Sequence, residues 1–178
     1  MRRPRLCSMS RRSMSRRVFL LFNVFAVFAV CEAQTLPVTR AETLMGTDID
    51  FPTAAKGEAA IFVLAFSHEA GDKIRPWVDA LLRDKIATWG VADIEGAPFF
   101  VHGMIRSSMK KSTPQAQWNR TLILTKDSKA WRDALNISNV KIPLILVVRP
   151  NGSIAWSIEA LYSADAYQQV KTQFSQIK

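Results

Sequence analysis

The residues able to carry acid–base or metal chemistry are few, and most of them lie in one short stretch. The chain has two histidines, His68 and His102, and Glu69 and Asp72 stand close to the first. A histidine beside carboxylates could exchange a proton or hold a metal ion. A two-histidine metal site would also need His102 and a carboxylate such as Glu69 or Asp93 at the same place, and the spacing does not require this. We therefore predict no metal, and keep His68 and Glu69 as the centre of a possible enzyme without thiols.

Cysteine is absent from most of the chain. The two cysteines, Cys7 and Cys31, both precede residue 34. Disulfide exchange, peroxide reduction by a thiol and thiolate metal binding all need a reactive cysteine. A chain cleaved after residue 33 would be redox-inactive, whereas a chain that keeps Cys31 would retain one thiol. Because no Walker loop or dinucleotide-binding glycine pattern is present either, we expect no cofactor.

The first 33 residues have the composition of a signal peptide. They carry seven arginines and one acid, and an apolar stretch runs from Val18 to Val30. The stretch is short for a membrane span, and Cys31-Glu32-Ala33 has the small-x-small pattern of a cleavage site. We predict that residues 1–33 are a signal peptide and that the protein is exported, to the periplasm or out of the cell.

Other routes stay open at this end of the chain. Ser15 to Leu20 resembles a twin-arginine signal, but the strongly apolar core favours the general secretory route. An arginine- and serine-rich leader also occurs on mitochondrial proteins, although the unbroken apolar core argues against that route. Val30 stands where a lipobox has a small residue before its cysteine. The sequence predicts membrane contact only through an uncleaved leader or a lipidated Cys31.

The positive charge belongs mostly to the leader. The 178 residues include 24 basic and 15 acidic side chains, and seven and one of these lie in residues 1–33, which leaves 17 and 14 in the rest. A formal charge of +3 with no basic stripe gives no reason to expect nucleic-acid binding. The length fits one domain.

A predicted strand and helix position the histidine stretch. Residues 59–66 are continuously apolar, as in a strand buried on both faces. Asp72 is the predicted N-cap of a helix from Lys73 to about Thr88, which places His68 and Glu69 beside the helix N-terminus. Free N–H groups there favour an anion, a carbonyl or a partner's carboxylate. The alternative for His68 is a solvated loop residue.

Further strands and helices alternate along the chain. A connector at 34–42 precedes a predicted strand or hairpin at 43–52. Further strands are predicted at 90–95 and 121–125, helices at 98–110, 130–135 and 163–177, and a hairpin at 143–156. The hairpin begins at Pro143, continues through five apolar residues and turns at Asn151-Gly152, which tolerates positive φ. This order predicts an α/β domain with a central mixed sheet and helices on both faces.

The hairpin and the first strand–helix unit together carry a resemblance. Val140-Lys141-Ile142-Pro143 with its hairpin resembles the cis-proline region of the thioredoxin superfamily, and residues 61–77 resemble its active-site strand, loop and helix. The resemblance covers residues 43–178 and implies a thioredoxin-like fold, with the helix at 98–110 as an insertion before the third core strand.

The resemblance also implies a site whose thiols are missing. Gly71 falls near the nucleophilic cysteine of the family and Ile74 near its buried partner, while Ala65 stands where catalytic members carry a buried acid. The degenerate active-site loop and the cis-proline form the candidate binding patch, which consists of Ser67, His68, Glu69, Ala70, Gly71, Asp72, Ile74 and Pro143. Since the family grips extended peptides beside that proline, a protein or peptide partner is implied.

A weaker similarity connects the end of the chain with a cysteine-free family. Ile154-Ala155-Trp156 after a glycine-containing turn is similar to the tail of the mitochondrial ATP-synthase assembly factors, although residues 149–152 replace their acidic turn. The combined expectation is a non-catalytic, exported binding, assembly or chaperone module of the cell envelope. The alternatives are residual thiol activity through Cys31 and a non-thiol enzyme at His68 and Glu69.

Overall fold

The computed structural model describes residues 35–177; residues 1–34, with the predicted signal peptide and both cysteines, lie outside the described part. In chain order the elements are β1 (Thr39–Thr43), β2 (Asp48–Phe51), β3 (Ala60–Ala65), α1 (His68–Gly71), α2 (Arg75–Arg83), β4 (Thr88–Asp93), α3 (His102–Ser112), β5 (Thr121–Leu124), α4 (Ser128–Leu135), β6 (Leu144–Val148), β7 (Ile154–Glu159) and α5 (Ala164–Ser175). Short 3-10 helices occupy Thr53–Ala55, Phe99–Val101 and Gln115–Arg120. In residues 35–177, every helix is too short or too polar to cross a bilayer.

The strands form one seven-stranded sheet in the order β2-β1-β5-β4-β3-β6-β7. β3, β4 and β5 are mutually parallel, since α2 and α3 lie in the connections between them. β6 and β7 are antiparallel to their neighbours, and so are β1 and β2. The predicted α/β fold with a mixed sheet is therefore confirmed, and α3 is the inserted helix.

Helices cover both faces of the central strands. Alternate residues of β3 point to opposite apolar layers: Phe62 packs in the layer that contains Trp131 of α4, and Ile61 in the layer that contains Trp77 of α2 and Val170 of α5. All five side chains are fully buried. Burial of one such side chain stabilises a fold by about 1.5–3 kcal/mol, so the two layers hold β3 and β6 as a rigid base for the loops at their ends.

α2 corresponds to the helix predicted from residue 73 to 88, and a short helix that was not predicted, α1, precedes it. The prediction of Asp72 as N-cap is wrong, because the hydroxyl of Ser67 accepts the N–H of Ala70 at 3.1 Å and α1 begins there. Asp72 is instead the C-cap of α1, directly after its last residue Gly71. α2 is shorter than predicted because Lys85 adopts a left-handed φ of 54°, which turns the chain into β4.

The chain enters the sheet earlier than its composition suggested. Most of the predicted connector at 34–42 is ordered against the sheet: Thr35 bridges to Ser153, Leu36 is only 5% exposed, and β1 begins at Thr39. In β1, Thr39, Ala41 and Thr43 alternate into the interior. Because the inner face of this strand carries small or hydroxyl-bearing side chains, the sequence shows no hydrophobic alternation there. This part of the connector prediction is therefore wrong.

Candidate functional site

The loop after β3 meets the loop before β6. β3 and β6 are antiparallel neighbours, so the end of the first and the start of the second lie at the same edge of the sheet. The Ser67 hydroxyl donates to the Val140 carbonyl at 2.8 Å, and the Lys73 ammonium donates to the Lys141 carbonyl at 3.2 Å. We call residues 67–73 and 138–143 the loop pair. It brings residues 67–72 together with Pro143, as the resemblance implied.

Ser67 holds both sides of the loop pair with one hydroxyl group. Its backbone is extended, with φ −157° and ψ 164°, and its oxygen accepts the Ala70 N–H while its proton goes to Val140. A hydroxyl has one donor and two acceptor positions, so both bonds form at once. Ala70 is completely buried. The short turn of α1 is therefore packed and tied rather than free in solvent.

Glu69 bridges the two loops electrostatically. Its carboxylate lies 2.8 Å from the Lys73 ammonium and 3.6 Å from the Lys141 ammonium, with about half of its side chain exposed. The hydrogen bond from Lys73 is the main reason that the pKa of Glu69 lies below its ordinary value of 4.5. A carboxylate held ionised in this way is a poor proton donor near neutral pH. Its role in the loop pair is that of an anchor.

The two histidines lie apart. His68 Nδ1 is 3.2 Å from Asp72 Oδ2, with the imidazole 92% exposed and the carboxylate 70% exposed. His102 is the first residue of α3, and its Nε2 lies 2.9 Å from the Ala97 carbonyl oxygen. Among residues 35–177, no group of three histidine, cysteine, aspartate or glutamate side chains is arranged to hold a metal ion.

The positions matched to the thiols of the resembling family have different environments. Ile74 is partly buried and packs on the layer that contains Trp77. Gly71 ends α1, and a Cβ there would meet no atom within 4 Å. Trp77 is linked to Pro143 of the loop pair by two hydrogen bonds. Its indole N–H donates to the Ala160 carbonyl at 3.1 Å, and the Ala160 N–H donates to the Pro143 carbonyl at 3.1 Å.

Pro143 lies where the sequence places it, but its peptide bond is not cis. In residues 35–177 the cis peptide bond is Phe51–Pro52. The predicted cis-proline at Pro143 is therefore wrong in its isomer. The loop is closed in another way: the Ile142 N–H donates to the Asn139 carbonyl at 3.2 Å and the Lys141 N–H donates to the Asn139 side chain at 2.9 Å. An Ile-Pro pair is compatible with either isomer, and its sequence does not choose between them.

Glu159 is a functional candidate that the sequence reasoning missed. Its carboxylate accepts three hydrogen bonds, from the Ser138 N–H at 2.7 Å, the Ser138 hydroxyl at 2.7 Å and the Asn139 N–H at 3.0 Å. It pairs with Leu144 across β6 and β7. Pairing residues outward from the hairpin turn along both strands could have placed Glu159 opposite the start of β6. The register shift between Val147 and Val148 makes that simple pairing fail.

Two backbone groups of residues 139–142 are left without a hydrogen-bond partner by the described part of the fold. The Val140 N–H and the Ile142 carbonyl have no hydrogen-bond partner among the described residues. Their neighbours are all engaged: the Val140 and Lys141 carbonyls accept from Ser67 and Lys73, and the Lys141 and Ile142 N–H groups bond to Asn139. The Val140 side chain is 36% exposed. One donor and one acceptor are thus free in residues 139–142, where the other backbone groups are all hydrogen-bonded.

No protein-family model matches the chain, and no curated protein matches it in sequence. Solved structures do match. A thioredoxin-family thiol:disulfide interchange protein from Chlorobium tepidum TLS is 18% identical, with a TM-score of 0.54 over 82% of this chain and 99% of the other. The lipoprotein thioredoxin Etrx1 from Streptococcus pneumoniae strain TIGR4 is 11% identical, with a TM-score of 0.53 over 76% and 99%.

A third similar structure is BsSco, a member of the Sco family of cytochrome c oxidase assembly proteins. It is 11% identical, with a TM-score of 0.53 over 81% of this chain and 95% of the other. Identities this low establish a common fold and nothing finer. The similarity to the ATP-synthase assembly factors stays a prediction. The described part of the chain has the thioredoxin-like fold that the Pro143 hairpin and the strand and helix after residue 60 predicted.

Proposed function

We propose that this chain is an exported, non-catalytic thioredoxin-like protein of the cell envelope, and that its loop pair binds an extended segment of a partner protein. The observation that carries the proposal is the free Val140 N–H and Ile142 carbonyl on a loop fixed by Ser67 and Lys73. Extended peptides bind through unpaired backbone groups at the edge of a structured element, and neighbouring side chains supply specificity. A loop that is already held in place loses little further entropy on binding.

The proposed absence of catalysis rests on the residues present in the domain. Residues 35–177 contain no cysteine. Glycine and isoleucine occupy the positions matched to the thiols, and Ile74 packs on the core. Cys31 would be the thiol of a protein that keeps its leader. Reduction of insulin by the full chain, lost on removal of residues 1–33, would instead favour an oxidoreductase.

A non-thiol enzyme at His68 and Glu69 has less support. His68 is almost fully exposed, and Glu69 is committed to two lysines. Two shallow clefts of the domain lie elsewhere, one beside Arg149 and Gln173 and one beside Tyr162 and Lys171. Histidine titration by NMR with and without added divalent metals separates the two functions, since metal-dependent activity with a shifted His68 resonance would favour an enzyme.

Export and an assembly role are supported by the proteins that share the fold. One of them is an exposed lipoprotein of Streptococcus pneumoniae and another belongs to a family of cytochrome c oxidase assembly proteins. The composition of residues 1–33 points in the same direction. A binding module that holds one partner segment would serve assembly or chaperone work without a chemical step.

Photo-crosslinking at Val140 tests the proposal. A photoreactive amino acid replaces Val140 in one variant and Val38 in the matched control. Val38 is 64% exposed and precedes β1, which lies near the opposite edge of the sheet from β6. In cells that export the protein, we expect a defined crosslinked species from position 140 and none from position 38. Equal crosslinking from both positions, or none from position 140 in a folded variant, would overturn the proposed site.

A further inference from the structure

The inserted helix leaves an apolar surface uncovered. Phe99 and Phe100, in the 3-10 turn that leads into α3, are 87% and 83% exposed, and Met104 is 68% exposed. The opposite side of α3 is anchored, because Ile105 and Met109 pack on the small core cluster beneath it. Adjacent phenylalanines in water are unfavourable, and a grouped apolar surface of this kind marks an interaction site.

The same segment has an excess of positive charge, although Arg106 and Arg120 pair with Glu42 and Glu58. Between Glu95 and Asp127 there are five basic residues and no acidic residue. Lys110 lies 5.1 Å above the Trp118 ring, and exposed Lys111 has no carboxylate within ion-pair distance among residues 35–177. We call Phe99, Phe100, Met104, Lys110 and Lys111 the α3 ridge.

We propose that the α3 ridge docks on the surface of an anionic lipid bilayer. Phe99, Phe100 and Met104 enter the headgroup region, and Lys110 and Lys111 lie against the phosphates with their methylene stems along the apolar boundary. The helix has eleven residues and lies in the plane of the interface rather than across it. This contact belongs to the folded domain and is separate from any contact made by the leader or by Cys31.

Charge decides between the possible occupants of the ridge. A second copy of the chain would bring an equally positive ridge, and residues 1–33 carry seven arginines and one acid, so both would be repelled. An anionic membrane surface attracts each nearby lysine and accepts aromatic side chains at the same depth. An acidic protein surface is the other occupant of matching charge, and it becomes an outcome of the test.

Tryptophan substitution in the full chain gives a readout specific to this surface, whatever residues 1–33 do. The F100W variant places an indole on the ridge, and the L161W variant places one after β7, at the edge of the sheet away from β5, where Leu161 is 52% exposed. With vesicles of brominated phosphatidylcholine and phosphatidylglycerol, we expect the added F100W emission to shift blue and to be quenched. We expect neither change for L161W, nor for F100W with phosphatidylcholine alone.

The charge requirement is tested by two double variants. K110Q/K111Q, in the F100W background, removes both ridge lysines and is expected to weaken binding to the mixed vesicles by about fivefold per lysine, or roughly 25-fold. K126Q/K129Q removes the same charge from the segment at the start of α4 and is expected to leave binding unchanged.

Three results would overturn the proposal. The first is quenching of F100W no greater than that of L161W, which would favour an acidic protein surface as the occupant. The second is an equal loss of binding in the two double variants, which would show unspecific attraction. The third is an F100W emission already blue-shifted without vesicles and unchanged on their addition, which would show that protein covers the ridge.

Discussion

The hydroxyl of Ser67 donates a hydrogen bond of 2.8 Å to the carbonyl of Val140, which lies 73 residues further along the chain. The same hydroxyl accepts the Ala70 N–H, so one side chain both begins α1 and fixes the loop before β6. The unpaired Val140 N–H and Ile142 carbonyl are consequently presented at a defined distance from α1. The geometry of the proposed site depends on this bond.

Replacing Ser67 by alanine should destabilise the domain and loosen the loop. Loss of an N-cap costs about 1 kcal/mol, which corresponds to roughly 3 °C in Tm for a domain of this size. Because the bond to Val140 is lost as well, we expect faster hydrogen exchange at Lys141 and Ile142. Differential scanning calorimetry and hydrogen exchange by NMR measure the two effects.

Ser163 offers a matched control for that variant. Its hydroxyl caps α5 by accepting the Ala166 N–H at 3.1 Å, the same distance as in α1. Ser163→Ala should lower Tm by a similar amount without changing exchange at residues 141–142. If Ser67→Ala leaves exchange at those residues as slow as in the parent protein, the Ser67–Val140 bond does not hold the loop.

Replacing Glu159 by glutamine should release the first part of the same loop. Glutamine keeps one acceptor oxygen but turns an NH2 group toward the Ser138 and Asn139 donors, so at least one of three bonds to a charged acceptor is lost. We expect a loss of about 1 kcal/mol in the free energy of unfolding and weaker capture of a partner at Val140. Glu58→Gln, which removes one ion pair with Arg120, controls for the loss of a charge. Unchanged capture by E159Q would contradict the positioning role of Glu159.

The loop pair should respond to acid below pH 4.5. The pKa of Glu69 is lowered in the folded state, chiefly by the hydrogen bond from Lys73, from an ordinary value of 4.5. A lowered pKa means that the stabilising effect of the ion pairs is complete above about pH 4.5 and is lost as the pH falls through the folded-state value. Carboxyl-carbon NMR titration should show the Glu69 pKa rising toward 4.5 in Lys73→Gln. In Lys171→Gln, which breaks the distant pair with Asp84, it should stay low; equal values in all three proteins would contradict the assignment.

The fold could be predicted from the sequence wherever burial alone determines the hydrophobic pattern of a strand. The residues of β3 and β6 are apolar throughout and completely or almost completely buried, and Gly152 adopts the positive φ of 87° that the hairpin turn needed. A strand such as β1, with threonines on its inner face, gives no such pattern. Local hydrophobicity therefore predicted the centre of the sheet and missed its N-terminal entry.

Only part of the candidate site could be predicted from the sequence, for a different reason. The resemblance implied that Ser67 to Asp72 and Pro143 would meet, and the pairing of β3 with β6 places them at the same edge of the sheet. The contacts that hold them are long-range: Glu159 reaches Ser138, and Ser67 reaches Val140. Such bonds depend on the register across β6 and β7 and on which loop atoms remain unpaired, and neither is encoded within a short window of sequence.

The central claim is that the loop pair binds its partner without a thiol. The most direct measurement is photo-crosslinking from position 140 in a full chain that carries Cys7→Ser and Cys31→Ser, compared with the same experiment in the parent chain. We predict the same crosslinked species in equal yield from both, and no reduction of insulin by either protein. Loss of the crosslink together with loss of insulin reduction in the cysteine-free chain would contradict the account.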